Sequence, residues 1–181
     1  MEITGAGICP DTEPSLQITL LQGLLKGDKM DLVIQKATEL GVSEIIPVIT
    51  GRSQIRETRK LERWRKIAQE SSRQSGRVGV PAVHDTVDVD YLLARQPVPE
   101  RGIIFWEEGG ESLSTIMGRF MGRKAIELFT GPEGGFSGEE VRALRETGFS
   151  VATLGRRILR AETAAVVALG IVQYQAGELA R

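Results

Sequence analysis

The chain has 181 residues, 41% hydrophobic and 26% charged, with a formal net charge of −1; this suits one soluble globular domain with a real core and is not the global basicity of a simple nucleic-acid binder. No run of about 18 apolar residues occurs, so no membrane span is expected, and the N-terminus lacks the basic-then-apolar pattern of a secretory signal. The single cysteine, Cys9, cannot form an internal disulfide, and the expected compartment is cytoplasmic.

Gly5, Gly7, Pro10 and Pro14 break any element in residues 1–15, which read as a flexible tail. From Leu16 the chain alternates. Strand-like runs fall at Leu16–Leu21, Glu44–Ile49, Val80–Val83, Gly102–Trp106, Ala125–Thr130 and Val151–Leu154. Helical patterns fall at Asp28–Leu40, Lys60–Ser75, Val89–Ala94, Ser112–Met121, Ser137–Thr147 and Thr163–Ala176. This alternation predicts an α/β fold, a mostly parallel sheet flanked by helices, over residues 16–181.

Local signals support the helices. Met30, Val33, Ile34, Ala37 and Leu40 recur at helical spacing, and Gly41 suits a left-handed terminus. Ser137 with Glu140 forms a capping-box pattern, and Gly148 ends that helix. The last helix is apolar almost all round, from Ala164 to Val172, so either the domain or a second subunit must cover it. The stretch 85–101, with Pro97 and Pro99, reads as a surface excursion.

Charge is unevenly spread. Arg52, Arg56, Arg59, Lys60, Arg63, Arg65, Lys66, Arg73 and Arg77 face only Glu57, Glu62 and Glu70 in the same segment. A local basic cluster of this kind binds phosphates even on a neutral chain. The plain alternative is a solvated helix face.

Two loops carry the chemistry. Gly131-Pro132-Glu133-Gly134-Gly135 and Leu154-Gly155-Arg156-Arg157-Ile158-Leu159-Arg160-Ala161-Glu162-Thr163 each follow a strand and lead into a helix. Open α/β sheets place ligands at that edge. The first loop lets a ligand approach its backbone closely. It has neither the phosphate-loop lysine nor dinucleotide-type glycine spacing, and Glu133 within it needs a partner, with Arg156, Arg157, Arg160 and Glu162 the nearest candidates in the second loop. His84 stands alone and is read as a structural or surface residue rather than a metal ligand. Ser53, Ser71, Ser72 and Ser75 lack a histidine base, which makes a phosphate-binding hydrolase a remote reading. Trp64 is read as core or interface.

The segments Asp31–Val42, Gln74-Ser75-Gly76-Arg77, Gly131–Phe136 and Leu154–Ala164 occur in this order. Together they resemble the RsmE family of ribosomal RNA methyltransferases, in the SPOUT superfamily. The resemblance runs from about residue 16 to the C-terminus. It implies a C-terminal trefoil knot, an exception to the rule against knots, which forms an S-adenosyl-L-methionine pocket in a homodimer. It also implies methylation of uridine N3 in 16S ribosomal RNA of the small subunit, with no metal. Thr130, Gly131, Pro132, Glu133, Gly134, Gly135, Leu154, Gly155, Ile158, Leu159, Arg160 and Thr163 would line the cofactor site. Arg52, Arg77 or Arg160 would stabilise the deprotonated base, and Glu133 or Glu162 would accept its proton. Members of the family carry an N-terminal PUA-like barrel. Only a short tail precedes Leu16, so that domain is expected to be missing, with residues 1–15 its remnant. Two rival readings are a SPOUT enzyme acting on another RNA and a cofactor- or RNA-binding module without activity.

Overall fold

A computed structural model describes residues 13–179; Cys9 and most of the expected tail lie outside them. The elements in chain order are β1 (Gln17–Gly23), α1 (Lys29–Glu39), β2 (Glu44–Ile49), α2 (Leu61–Ser75), β3 (Ala82–Val83), β4 (Val87–Asp88), α3 (Val89–Leu93), β5 (Gly102–Phe105), β6 (Glu111–Ser112), α4 (Leu113–Met117) with a short 3-10 turn at Gly118–Phe120, β7 (Ala125–Thr130), α5 (Gly138–Glu146), β8 (Phe149–Thr153) and α6 (Ala161–Gln175). The sheet order is β3-β2-β1-β7-β5-β8-β6, with β4 also on β2, and every pairing is parallel.

Both faces of the sheet are covered, as an all-parallel sheet requires. Alternation along the strands splits the core in two. Ile18 and Leu20 of β1, Leu128 of β7, Ile103 of β5 and Ala152 of β8 pack with α1, α2, α4 and α6. Leu21, Phe129, Ile104 and Val151 pack on the other face with Leu92 of α3 and Val141 and Leu144 of α5. Phe129 and Phe136 meet edge-on at 4.8 Å between ring centroids, a favoured aromatic geometry.

The sequence boundaries shift where tertiary contacts decide. β1 runs on to Gly23 because Gln22 pairs with Thr130 and Gly23 with Val48. The Val80–Val83 run keeps only Ala82–Val83, since Pro81 has no backbone N–H to donate. β4 and β6, two residues each, escape periodicity altogether. The Ser112–Met121 helix is α4 followed by the 3-10 turn. The last helix begins two residues early, at Ala161.

That last helix is only half covered. Ala165, Ala168, Leu169 and Val172 are buried against α1 and β7, while Val166, Val167 and Ile171 are half-buried and Tyr174 is 66% exposed. The chain reaches it by a double crossing. The β5–β6 connection passes the end of β8, and the chain leaving β8 returns past β5 to reach β7 and α1. This path is consistent with the knot implied by the resemblance.

Polar groups close the two ends of the sheet. At the N-terminal edge the Arg77 guanidinium is nearly buried, with 6% side-chain exposure, and donates to the Thr38 and Val42 carbonyls at 2.9 Å each and to Glu13 at 2.6 Å. Glu13 also accepts the Gly79 N–H, and Ser15 bonds to Glu178 at the end of the chain. At the C-terminal edge Gln22 is fully buried. Its amide oxygen accepts Thr130 Oγ1 at 2.7 Å, and its nitrogen donates to the carbonyls of Gly23 at 2.9 Å and Gly131 at 3.3 Å.

Hydrogen bonding to Arg77 lowers the Glu13 pKa from 4.5 despite partial burial. A depressed carboxylate pKa contributes stability that is present above the unfolded value and lost as pH falls through the folded one. The variant Glu13→Gln should therefore melt below wild type at pH 7, with the gap narrowing as pH drops below 4.5; thermal melts across that range check this, and a constant gap would contradict it. Gln22→Leu strands the Thr130 hydroxyl and a loop carbonyl, and should cost about 1–3 kcal/mol in urea unfolding.

Candidate active site

Three loops meet beyond the C-terminal ends of β5, β7 and β8 and enclose two joined cavities. The smaller, about 80 Å³, is walled by Trp106, Leu154 and Gly155 among others. The larger, about 380 Å³, is walled by Lys29, Thr130–Glu133, Gly135 and Arg160–Glu162. Phe105, Glu107, Ile158, Leu159 and Ala164 line both. The edge expected from sheet topology is therefore the edge where the cavities lie.

The Gly-rich loop is fixed from several sides. Pro132 rests against Gly23 of β1, where an added Cβ would collide with the Pro132 nitrogen. A Cβ at Gly134 would lie 2.9 Å from the Arg52 carbonyl oxygen. Gly135 has φ +66°, and a side chain there would strike the Glu107 carboxylate. Arg52 reaches across to donate to the Gly134 carbonyl at 3.3 Å. The capping box then forms. The Ser137 hydroxyl accepts the Glu140 N–H, and Glu140 accepts the Ser137 N–H at 2.8 Å. The other Glu140 oxygen takes the Gly51 N–H at 2.7 Å, tying the loop after β2 to the start of α5.

Glu133 finds its partner on α1. It accepts Lys29 Nζ at 3.0 Å and the Lys26 N–H at 3.1 Å. Burial pushes its pKa up, but these donors outweigh burial and hold it below 4.5. The side chains of Arg156, Arg157 and Arg160, all exposed, make no hydrogen bond or ion pair with any described residue. The arginines sought as partners for Glu133 are thus left free.

The twelve expected cofactor-site residues divide. Thr130, Gly131, Pro132, Glu133, Gly135, Leu154, Gly155, Ile158, Leu159 and Arg160 line the cavities. Gly134 instead gives clearance to Arg52, and Thr163 is exposed outside the lining. Of the catalytic candidates, Arg160 and Glu162 reach the larger cavity and Arg52 lies against its Gly-rich wall. Arg77 does not come to the site. It sits at the opposite edge of the sheet with its guanidinium committed to Glu13 and two carbonyls; its burial and its acceptors there explain its presence without chemistry.

Lys29, Phe105, Trp106 and Glu107 were not expected. Phe105 ends β5, and Trp106 and Glu107 follow it at the same sheet edge that marked the other two loops, so the same topological rule covers them. Glu133 Oε2 and Glu162 Oε2 are buried with no hydrogen-bond partner. A buried carboxylate oxygen without a donor is costly unless something supplies one. The pair therefore favours a ligand with donors or positive charge beside the apolar wall of Phe105, Leu154, Ile158 and Leu159. Among the described residues no cluster of three or more His, Cys, Asp or Glu side chains is placed to hold a metal ion, and no helix is long and apolar enough to cross a membrane. His84 bonds Glu44 at 2.8 Å on the surface, and Trp64 is buried with its indole N–H on Asp31 at 3.0 Å.

The model of the RNA methyltransferase domain family matches residues 12–173. Ribosomal RNA small subunit methyltransferase E of Bacillus subtilis is 36% identical over 173 residues, 90% of this chain and 68% of the relative. That of Buchnera aphidicola is 32% identical, over 94% of this chain and 68% of the relative. Among solved structures, ribosomal RNA small subunit methyltransferase E from Neisseria gonorrhoeae bound to S-adenosyl methionine superposes with a TM-score of 0.82 at 36% identity, over 91% of this chain and 68% of that one. A methyltransferase from Legionella pneumophila in complex with the same cofactor gives 0.80 at 34%, over 90% and 67%. The two loops, their order along the chain and the parallel sheet that presents them have one common source: this chain belongs to the ribosomal RNA small subunit methyltransferase E family of RNA methyltransferase domains.

Proposed function

We propose that this chain is an S-adenosyl-L-methionine-dependent methyltransferase that modifies N3 of a uridine in 16S ribosomal RNA of the small subunit. It acts in the cytoplasm as a homodimer, with its C-terminal segment knotted. The observation that carries this reading is the two-part cavity between the Gly-rich loop and the Leu154–Thr163 loop, apolar on one side and carboxylate-bearing on the other. The apolar wall suits a purine ring, with backbone groups of residues 154–159 available for its edge. The buried, donor-less oxygen of Glu133 suits the amine of an amino acid. The residues present therefore fit the cofactor.

Bound there, the cofactor supplies an electrophilic methyl group on a positively charged sulfur. The protein's own share is position, charge and one proton. Holding the uridine ring in line with the methyl converts a bimolecular reaction into one between fixed partners. N3 carries a proton at neutral pH, so a carboxylate must take it. Glu133, its pKa lowered by Lys29 and the Lys26 N–H, is the weaker base. Glu162, at the start of α6 with one unpartnered oxygen, is the better-placed acceptor. Arg160 beside it, free of any partner among the described residues, stabilises the base as it loses the proton. Arg52 is the second cation of the site, partly committed to the Gly134 carbonyl. The basic surface of residues 52–77 includes Arg59, Lys66 and Arg73, which have no partner among the described residues, and serves RNA phosphates. The half-covered face of α6, with Val166, Val167, Ile171 and exposed Tyr174, is the surface offered to a second subunit.

Calorimetry should detect S-adenosyl-L-methionine binding, and single-turnover reaction with purified small subunits should yield 3-methyluridine by nucleoside mass spectrometry. Arg160→Ala should keep cofactor binding within about threefold and slow methyl transfer by about 10²-fold or more. No heat and no thermal shift at millimolar ligand would sink the cofactor assignment; binding without product would leave a binding module.

A further inference from the structure

Of the side chains that line both cavities, only Glu107 is charged. Phe105, Ile158, Leu159 and Ala164 complete the shared wall, so the carboxylate stands over an apolar neck. It is exposed and makes no hydrogen bond or ion pair with any described residue. Its place is nevertheless built. Glycine at 135 leaves room for it, since a Cβ there would collide with Glu107 Oε1. Gly135 also has a left-handed backbone, φ +66°, so a side chain at 135 is disfavoured on two grounds and the space beside the Gly-rich loop stays open to the carboxylate.

A ligand that fills both cavities places its joining centre at the neck. In the cofactor of the proposed function, on which this inference rests, the group joining the nucleoside to the amino acid is the sulfonium. We propose that Glu107 senses that positive charge and so distinguishes the methyl donor from its demethylated product. Methyl transfer leaves the bonding electrons on sulfur, which becomes a neutral thioether. The attraction at Glu107 is then lost, which favours exchange of spent product for fresh donor. Lys29 already neutralises Glu133 at the far wall, so Glu107 is the carboxylate of the neck with charge to spare.

The test is calorimetric and needs no RNA. Glu107→Gln, an exposed isosteric change expected to melt with wild type, should weaken S-adenosyl-L-methionine binding about fivefold, the scale of a partly screened charge pair. S-adenosylhomocysteine affinity should stay within twofold. An analogue bearing a protonated amine in place of the sulfonium should weaken like the donor. Equal weakening of donor and product, or no change in either, would overturn the role of Glu107 while leaving the cofactor pocket intact. Failure of the wild-type chain to bind any of the three would overturn the pocket reading itself, and this inference with it.

Discussion

The site depends on one buried amide. Gln22 sits at the end of β1, in the middle of the sheet, where an apolar residue would be the ordinary choice. Burying an amide costs free energy unless its oxygen and nitrogen are both bonded. Here the oxygen takes Thr130 from β7 and the nitrogen reaches the Gly23 and Gly131 carbonyls. The last rung of the β1–β7 ladder and the first residue of the Gly-rich loop are thus satisfied by one side chain. Gly23 beside it removes the only Cβ that would keep Pro132 away. The loop leaves β7 at a fixed angle because the residues under it leave no other packing.

Charge is sorted around that frame. The cavity walls carry Glu107, Glu133 and Glu162 together with the exposed Arg156, Arg157 and Arg160, and Arg52 lies outside them against the Gly-rich loop. The Lys29–Glu133 pair makes the sorting possible. By meeting Glu133 from α1 it relieves the exposed arginines of an internal partner. The pair is partly exposed and contributes little to stability; its effect is on which charges stay available. Carboxylates with buried, donor-less oxygens suit a cationic small molecule, and exposed arginines suit a polyanion. A near-neutral chain can serve an RNA in this way because what matters is the local field at the mouth.

Much of this was legible in the sequence, because strand and helix periodicity, the Ser137–Glu140 box and the two loop motifs are local signals. They locate the five longer strands, the short β3 and the sheet edge used by the site. What escaped depends on partners far along the chain. Lys29 meets Glu133 across 104 residues and Gln22 meets Thr130 across 108, and no spacing rule links such pairs. Arg77 was misplaced for the same reason: its motif neighbours suggested chemistry, whereas its acceptors, Glu13, Thr38 and Val42, lie at the other edge of the sheet. The two-residue strands β4 and β6 have too few residues to show a period. They also finish the sheet with short edges, which limits pairing with other chains.

The Gly-rich loop is then better understood as a junction than as a turn. A turn of this length needs one residue with positive φ, and Gly135 supplies it. The other glycines answer to neighbours. Gly131 lies against the Phe136 ring, with an added Cβ 3.1 Å from it, and Gly134 accommodates the Arg52 backbone. Each absent side chain admits a group from a different part of the fold: the α5 approach, the β2–α2 loop and, at Gly135, the carboxylate that follows β5. Together with Gly23 of β1 beneath Pro132, the loop touches one strand and two other connections within five residues. Close-packed contacts of this kind transmit small displacements because they have no slack. The loop backbone thus lies against Arg52 on the side of the basic surface and against Glu107 beside the cavities. The same backbone lies between Arg52 and Glu107, although the two follow strands on opposite sides of β7.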